Sequence, residues 1–278
     1  MREFEFTWDD FNHLRTLSFE HSGIKVPDDK FDMFYCRLAK RIRLLKLPDF
    51  KAYCRYLRQH HEEEFTEFIN AITTNLTAFF RENHHFEYLK NQIIPELKRR
   101  KLNTKRIRIW SAGCSTGEEP YSIAITLVEN GIHPGSWDVK ILATDLDTQV
   151  LAKASSGIYT PDRLEGVNSE RLKRWFQKNR SSRISQVRVK PELMRMISFR
   201  QLNLITPWKL NGPFDIIFCR NVLIYFDNPT KSGIIHRFAD LIPPDQHLII
   251  GHSESLHNIC DRFTGLGNTI YRRNQEFQ

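Results

Sequence analysis

The chain has 278 residues, 40% of them hydrophobic, so it is long enough for one large domain or two moderate domains with a substantial core. No segment approaches the ~20 apolar residues of a transmembrane helix, and the N-terminal residues lack the apolar core of a signal peptide. We therefore expect a cytoplasmic protein without direct membrane insertion. Lys and Arg number 41 against 33 Asp and Glu, and the net charge of +8 indicates an acidic partner of unspecified class.

Residues 1–75 are predicted to form an all-helical domain. Thr7 is a typical N-cap for a first helix that stops near Gly23, and a second helix opens at Pro27 and runs to about Lys46. Pro48 begins a third helix, and a fourth follows it with apolar residues at helical spacing.

The second helix is strongly basic. Its only acidic residue within the helical span is Asp32, and a solvated face is the simplest interpretation of such a pattern. We favour a docking surface for an acidic partner, because the helix carries six cations: Lys30, Arg37, Lys40, Arg41, Arg43 and Lys46.

No metal site is predicted. The run His60–Glu64 contains five possible ligands, but consecutive residues on a helix point in different directions and cannot converge on one ion. We interpret this run as an exposed helix junction. The five cysteines are widely spaced and form no Cys-x-x-Cys pair, so reduced and packed thiols are expected.

Residues 76–105 are predicted to be a linker and a connector helix. Phe79 and Phe80 would anchor the segment in apolar surroundings, so that the guanidinium of Arg81 is held in place. A long helix then runs from about Phe86 to Leu97.

Residues 106–278 are predicted to form a domain of alternating strands and helices. Residues 106–121 begin with alternating β-formers, continue into a turn containing Gly113 and Gly117, and become helical at Glu118. A carboxylate at the start of a helix repels phosphate, because the N–H groups there attract anions. The ligand is therefore expected to be nucleoside-like without a phosphate, which fits S-adenosylmethionine.

Further strands are expected at 139–142, 197–204, 214–219, 247–250 and 267–273. Residues 160–198 are polar and basic, and the alternation of Ile184, Val187 and Val189 predicts a small inserted β-subdomain. A short helix around residues 171–178 precedes those strands.

Three predicted strand ends converge at one edge of the sheet. They are the turn at Gly113–Glu118, Asp145 after the second strand, and the segment Arg220–Tyr225, with Asn203 beside them. Parallel strands present ligands at this edge, and an acidic residue ending the second strand commonly holds ribose hydroxyls. The glycine spacing matches neither a P-loop nor a dinucleotide fingerprint.

Five motifs carry a resemblance to a known family. They are Thr77-x-Phe-Phe-Arg81, Trp110-Ser-Ala-Gly-Cys-Ser-Thr-Gly-Glu-Glu-Pro-Tyr-Ser-Ile-Ala124, Thr144-Asp-Leu-Asp147, Phe218-Cys-Arg-Asn-Val-Leu-Ile-Tyr-Phe226 and Gly251-His-Ser-Glu254. In this order and at this length they resemble the CheR-type chemotaxis receptor glutamate O-methyltransferases, over about residues 8–273. The resemblance implies an α/β, Rossmann-like methyltransferase domain with an N-terminal all-α domain and an inserted β-subdomain.

The resemblance also implies the reaction and its residues. A methyl group would pass from S-adenosylmethionine to glutamates on the acidic cytoplasmic helices of methyl-accepting chemotaxis receptors. Arg81 and Tyr225 would lie nearest the reacting centre, and the insert would be the subdomain that binds a receptor C-terminal tether in some members. The cofactor site would comprise Asn75, Thr77, Arg81, Glu118, Asp145, Asn203, Leu204, Arg220 and Asn221. The receptor would contact Arg37, Lys40, Arg41 and Arg43.

Alternatives remain for individual residues. Arg81 could serve as a structural ion-pair partner of Glu118 or Glu82, and Tyr225 could be a core aromatic residue. The choice between Glu118 and Glu119 as the acid facing the cofactor depends on which face of the helix is presented. His252 is expected to be a hydrogen-bonded structural residue, because a glutamate acceptor is already ionised and needs no general base.

Two other functions compete with this one. A nucleic-acid methyltransferase is compatible with the charge, but no base-flipping motif or aromatic-basic interleaving is present, so no nucleic-acid partner is expected. A regulator that binds S-adenosylmethionine without turnover is disfavoured by the presence of Arg81, Asp145 and Tyr225. We expect a monomeric enzyme.

Overall fold

The computed structural model describes residues 2–178 and 185–275, except for the side chains of residues 61 and 62. Ile184, part of the predicted alternation in the insert, lies outside the described residues. In the part of the chain that the structure describes, no helix combines the length and the apolar composition needed to cross a bilayer.

Four helices form the N-terminal domain: α1 (Trp8–Ser22), α2 (Phe31–Leu44), α3 (Phe50–Gln59) and α4 (His61–Ile72). Local sequence sets the boundaries of α1, since Thr7 and Asp10 form a reciprocal capping box and Gly23 ends the helix with φ +71°. Apolar faces from all four helices meet in a core built around Phe11, Phe34 and Phe68. The predicted helical domain is confirmed.

The junction between α3 and α4 differs from the expected exposed surface. His60 is exposed, but Glu64 is only 3% exposed, so the exposure expected for that end of the run was wrong. Arg41 of α2 donates two hydrogen bonds to the Glu64 carboxylate, at 2.8 and 2.6 Å, and the Tyr53 hydroxyl donates a third at 3.0 Å. A buried carboxylate requires such partners, because burial without them is costly.

The connector is a helix with one widened turn. It runs from α5 (His84–Tyr88) through a π-helical turn (Leu89–Ile93) into α6 (Ile94–Arg100). Its apolar residues, together with Phe79 and Phe80, belong to the same core as the first strand of the sheet. The segment therefore packs as part of the α/β domain.

Among the described residues of the α/β domain, ten strands form two sheets: β1 (Arg106–Ala112), β2 (Asp138–Asp145), β3 (Ile158–Tyr159), β4 (Phe176–Lys178), β5 (Val187–Val189), β6 (Ile197–Gln201), β7 (Ile216–Cys219), β8 (His247–Ile250), β9 (Phe263–Gly267) and β10 (Ile270–Arg273). The helices between them are α7 (Glu118–Glu129), α8 (Thr148–Ser156), α9 (Ser169–Trp175), α10 (Pro191–Met194) and α11 (Asn228–Leu241).

The large sheet has the strand order β6-β2-β1-β7-β8-β10-β9. Its first five strands are parallel, and β10 and β9 are antiparallel. The order reverses beside β1, which has β2 on one side and β7 on the other. This reversal is the switch point at which open α/β sheets bind ligands.

Two strand predictions are refined by the structure. The predicted final strand at 267–273 is β10, preceded by a turn in which Asn268 and Thr269 have φ of +51° and +58°, while Gly267 belongs to β9. The small antiparallel sheet β3-β5-β4 confirms a β-rich insert and begins at Ile158. β9 was missed because Phe263–Gly267 is glycine-rich and lacks apolar alternation.

We expect Glu64→Gln to lower the free energy of unfolding by about 3 kcal/mol, because Arg41 would lose the nearer of its two charged partners, Glu64 and Glu67, at a largely buried site. The matched control is Arg43→Met, which breaks an exposed pair with Glu3 and should cost less than ~1 kcal/mol. Urea unfolding followed by far-UV circular dichroism measures both changes. Equal losses of stability in the two variants would contradict the conclusion that the Arg41–Glu64 pair is a buried, stabilising contact.

Candidate active site

One cavity lies at the carboxyl ends of β1, β2 and β7 and has a volume of about 350 Å³. This is within the range of small-molecule sites. The N-terminal domain supplies part of its wall, from Ser22–Pro27 and from Ile72–Thr74. The predicted site residues that line it are Asn75, Thr77, Arg81, Asp145, Asn203, Leu204, Arg220, Asn221 and Tyr225.

The turn after β1 allows two loops to approach closely. Gly113 has φ +84°, and a Cβ at this position would lie 2.2 Å from Cγ2 of Val222 in the loop after β7. The N–H groups of Gly113 and Cys114 both donate to the carbonyl oxygen of Thr144, which binds the turn to the end of β2. Only glycine fits here, because a side chain would separate the loops and is disfavoured at this φ.

Asp145 ends β2 at the cavity. Its carboxylate accepts hydrogen bonds from the N–H groups of Ser115, at 2.8 Å, and Asp147, at 3.0 Å. Burial raises the pKa of Asp145 to about 6, against the lowering effect of these donors. The side chain is thus an oriented acceptor whose charge is sensitive to pH.

The two glutamates at the start of α7 face different surroundings. Glu118 is fully buried outside the cavity, where its carboxylate pairs with Arg163 at 2.5 Å and accepts from Thr116 at 2.6 Å. Glu119 lines the cavity, and it accepts from Ser111 Oγ at 2.6 Å and from Arg220 at 3.0 Å. The structure therefore corrects the sequence-based choice, because adjacent helical residues are rotated by about 100° and the first one points away.

Arg220 joins Glu119 to a second acid, Glu82. Its guanidinium is buried, lies 3.4 Å from the Glu82 carboxylate, and donates to the backbone carbonyl of Arg81. Burial favours the protonated form of Glu82, but hydrogen bonds from His252 and the charge of Arg220 outweigh it and lower the pKa to about 2. In the sequence, Glu82 was considered only as a possible ion-pair partner of Arg81, and its contacts with Arg220 and His252 were missed.

Glu254 supports the loop that carries Asn221 and Tyr225. Its buried carboxylate accepts from the N–H groups of Gly251, Asn221 and Ile224, at 2.6, 3.0 and 3.2 Å. A Cβ on Gly251 would lie 2.4 Å from Nδ2 of Asn221, so the two loops are in direct contact. The role of Glu254 was also missed, because nothing in the local sequence links it to a segment 30 residues earlier.

Arg81 and Tyr225 lie at the cavity opening. Nη1 of Arg81 donates to the carbonyl oxygen of Leu76 at 2.7 Å, and the Tyr225 hydroxyl makes a long 3.4 Å hydrogen bond to the carbonyl oxygen of Thr74. Burial raises the pKa of Tyr225, so the phenol is protonated at neutral pH. Leu76 and Ile224 line the same cavity and are 74% and 49% exposed, which leaves an apolar rim beside the two polar groups.

The amides of Asn75 and Asn203 hold the cavity walls in place. Nδ2 of Asn75 donates to Asp147 at 2.8 Å, and Nδ2 of Asn203 donates to the carbonyl oxygen of His21 at 2.7 Å. The second bond joins the end of α1 to the α/β domain. Both asparagines therefore connect the domains as well as line the cavity.

The four cations predicted to contact a receptor lie outside the cavity. Arg37 donates to the carbonyl oxygens of Ile72 and Thr73, at 2.8 and 2.6 Å, and Arg41 is engaged with Glu64. Lys40 and Arg43 are exposed. Contact with a receptor stays a prediction for all four, and of the last two Arg43 also pairs with Glu3 at 2.8 Å.

The cavity is chemically suited to a nucleoside with a cationic tail. Asp145 and Glu119 place two carboxyl groups against the ligand space as hydrogen-bond acceptors for hydroxyl or ammonium groups, and Arg220, which pairs with Glu119, lines the same cavity. The close approach of the loops at Gly113 and Val222 provides an apolar wall next to these acids. These properties fit S-adenosylmethionine, which carries an adenosine, a sulfonium and an amino acid moiety.

Comparisons with known proteins agree with this site. A family model described as "CheR methyltransferase, all-alpha domain" matches residues 9–73, and one described as "CheR methyltransferase, SAM binding domain" matches residues 75–272. Chemotaxis protein methyltransferase of Escherichia coli (strain K12) is 44% identical over 264 residues, covering 94% of this chain and 89% of that protein.

Two further relatives cover both domains. The chemotaxis protein methyltransferase of Salmonella typhimurium is 45% identical, over 94% of this chain and 88% of that protein. Chemotaxis protein methyltransferase 2 of Pseudomonas aeruginosa is 43% identical, over 97% of this chain and 95% of that protein. Together with the strand order and the cavity at the switch point of the sheet, these matches show that the chain belongs to the CheR methyltransferase family and is an S-adenosylmethionine-dependent methyltransferase.

Proposed function

We propose that this enzyme methylates glutamate side chains of methyl-accepting chemotaxis receptors, on their acidic cytoplasmic helices, giving glutamyl methyl esters and S-adenosylhomocysteine. The observation that carries the proposal is the cavity opening, where Arg81 and Tyr225 stand beside an apolar rim. The names of the relatives, chemotaxis protein methyltransferases, support the same assignment.

The opening suits a carboxylate on an acidic helix. Lys25 and Lys30 of the N-terminal domain are exposed and line the same cavity. Together with Arg81 they give the entrance a positive field, which attracts acidic segments and increases their encounter rate. Leu76 and Ile224 offer apolar contacts for the rest of the acceptor segment.

The exposed part of α2 extends this positive field. Lys40 and Arg43 are exposed, Arg43 in a surface pair with Glu3, whereas Arg37 and Arg41 hold α2 against α4 and the segment that follows it. We assign receptor contact mainly to Lys40 and Arg43, and a supporting role to the other two. Docking would then place an acceptor helix beside the cavity opening.

The chain needs to orient the acceptor and does not need to deprotonate it. When bound, S-adenosylmethionine supplies an electrophilic methyl group on a sulfonium. A glutamate with a pKa of ~4.3 in water is already ionised at neutral pH, and the protonated Tyr225 is a hydrogen-bond donor and no base. His252 is engaged with Glu82 at 2.8 Å, as expected for a structural histidine.

Arg81 is placed to position the reacting groups. Its guanidinium donates a hydrogen bond to the carbonyl oxygen of Leu76 and lies 4.0 Å from the Glu82 carboxylate. The positive charge of Arg81 is therefore partly neutralised within the chain. A free cation paired tightly with the acceptor would stabilise the ground state, because charge is lost in the reaction. An arginine whose charge is already partly neutralised can orient the acceptor carboxylate and stabilises the ground state less.

The proposed function is tested by incorporation of labelled methyl groups into receptor-bearing membranes, released by mild base as an ester would be. Arg81→Ala should lower turnover about 100-fold with the fold intact, because orientation of the reacting groups is lost. The control is Arg99→Ala, an exposed arginine at the end of α6 that does not line the cavity. Base-stable label, label in tRNA or DNA instead of receptor, or unchanged turnover in Arg81→Ala would contradict the proposal.

Substitutions of the two glutamates at the start of α7 should have different effects on the affinity for S-adenosylmethionine. Glu119→Gln removes a carboxylate from the cavity and the partner of Arg220, and should weaken binding of S-adenosylmethionine about tenfold or more. Glu118→Gln breaks the buried pair with Arg163 and should lower stability with a smaller effect on affinity. Calorimetric titration measures the affinity and thermal unfolding measures the stability. If Glu118→Gln weakened binding more than Glu119→Gln did, Glu118 would be the residue that contacts the cofactor.

The affinity for S-adenosylmethionine should depend on the charge of Asp145. Its pKa of about 6 lies above the usual value, so the carboxyl gains a proton as the pH falls through 6 and no longer accepts two ribose hydroxyls. We expect the affinity to fall by up to about tenfold per pH unit below that value. The Asp145→Asn variant should bind S-adenosylmethionine more weakly than the wild type, and its affinity should not fall further as the pH drops below 6. Identical pH profiles for both proteins would exclude Asp145 as the titrating group.

A further inference from the structure

A second group of chemically active side chains lies on another face of the α/β domain. His236 on α11, and Cys260 and Asp261 in the loop before β9, each offer one ligand atom, and these atoms lie within 4.8 Å of one another. They adjoin an open surface hollow of about 580 Å³ that is also lined by His257. None of these residues lines the cofactor cavity.

The imidazole of His236 is oriented for coordination. Its Nδ1 lies 2.8 Å from the carbonyl oxygen of Ser232, which can only accept, so Nδ1 carries the proton. Nε2 then carries the lone pair, which accepts a hydrogen bond from Sγ of Cys260, 3.8 Å away. A backbone carbonyl that fixes the tautomer in this way is the usual outer partner of a metal-binding histidine.

The spacing of sulfur and nitrogen is also suitable. Zinc bonds of ~2.3 Å to sulfur and ~2.0 Å to nitrogen, at a tetrahedral angle, separate the two ligand atoms by about 3.5 Å. The observed separation of 3.8 Å differs from this by a few tenths of an ångström, which a side-chain rotation can supply.

We propose that Nε2 of His236, Sγ of Cys260 and a carboxylate oxygen of Asp261 bind one Zn²⁺ ion. The fourth position faces the surface hollow and is filled by water or by His257. On binding, Cys260 releases its thiol proton to solvent and coordinates as the thiolate. One sulfur, one imidazole and one carboxylate ligand favour Zn²⁺ over the hard cations Mg²⁺ and Ca²⁺.

The other candidate cluster in the described residues is a weaker one. Glu82, His84 and His85 also bring ligand atoms within 4.8 Å of one another. However, the guanidinium of Arg220 lies 3.4 Å from the Glu82 carboxylate and would repel a cation. Burial, followed by the charge of Arg220, lowers the pKa of His85 to about 4, which shows how unfavourable added positive charge is there.

A metal at His236 would fasten the loop between β8 and β9. Ser232 Oγ already donates to the carbonyl oxygen of Ile259 at 3.0 Å, so α11 and the loop are in contact at this point. The beginning of the same loop carries Glu254, which holds the segment Asn221–Ile224 at the active site. The proposed ion would therefore stabilise a loop that supports the active site from a distance.

The test uses the tag-free, reduced and chelator-treated full chain, titrated with Zn²⁺ alone by calorimetry and with Co²⁺ by absorption spectroscopy. We expect one equivalent to bind, with a thiolate-to-cobalt charge-transfer band. Cys260→Ser and His236→Gln should each abolish the band and weaken Zn²⁺ binding. The loss of affinity should exceed the ~10–100-fold that is typical when a residue supporting a metal ligand is replaced. Asp261→Asn, at an exposed position, should weaken binding in a folded protein.

Cys36→Ser is the matched control, since Cys36 is the exposed thiol outside the cluster and its loss should leave binding unchanged. Zn²⁺ should also protect Cys260, but not Cys36, from alkylation. Circular dichroism verifies that each variant is folded. The proposal is overturned if the wild type binds no equivalent of Zn²⁺, if binding persists in Cys260→Ser and His236→Gln, or if it is lost in His84→Gln instead.

Discussion

The buried ion group Glu82–Arg220–Glu119 is the interaction on which the active site depends. Arg220 directly follows β7, and its guanidinium lies between two carboxylates, 3.4 Å from Glu82 and 3.0 Å from Glu119. Glu82 in turn accepts from Asn221 and His252, so one network joins the segment before the sheet, the start of α7 and the loops after β7 and β8. A buried charge without partners is costly, and each member therefore restrains the others.

A second network makes the N-terminal domain part of the cofactor site. Asn75 and Thr73 both donate to Asp147, the residue that caps α8, and the amide of Asn70 donates to Thr148. The wall of the cavity thus contains residues from both domains. A change at the end of α4 would be transmitted directly to the turn that follows Asp145.

Much of the fold follows from local sequence. The capping box at Thr7 and the left-handed Gly23 define α1, and the strand, glycine turn and helix at 106–121 define the cofactor-binding edge. The acid at Asp145 follows from its place at the end of β2, since parallel strands all present their carboxyl ends at one edge. These features depend on residues close in sequence, for which periodicity, caps and turns are direct physical signals.

Other features depend on contacts between distant segments, and only the tertiary structure decided them. The sequence determined that an acid begins α7, but the packing of that helix turned Glu119 to the cavity and Glu118 to Arg163. Likewise, a basic α2 was evident, whereas the use of Arg41 to neutralise a buried Glu64 required the position of α4. The pairing of His236 with Cys260 joins residues 24 apart on different elements. Side-chain direction and long-range pairing are set by how the elements pack, and no local pattern encodes them.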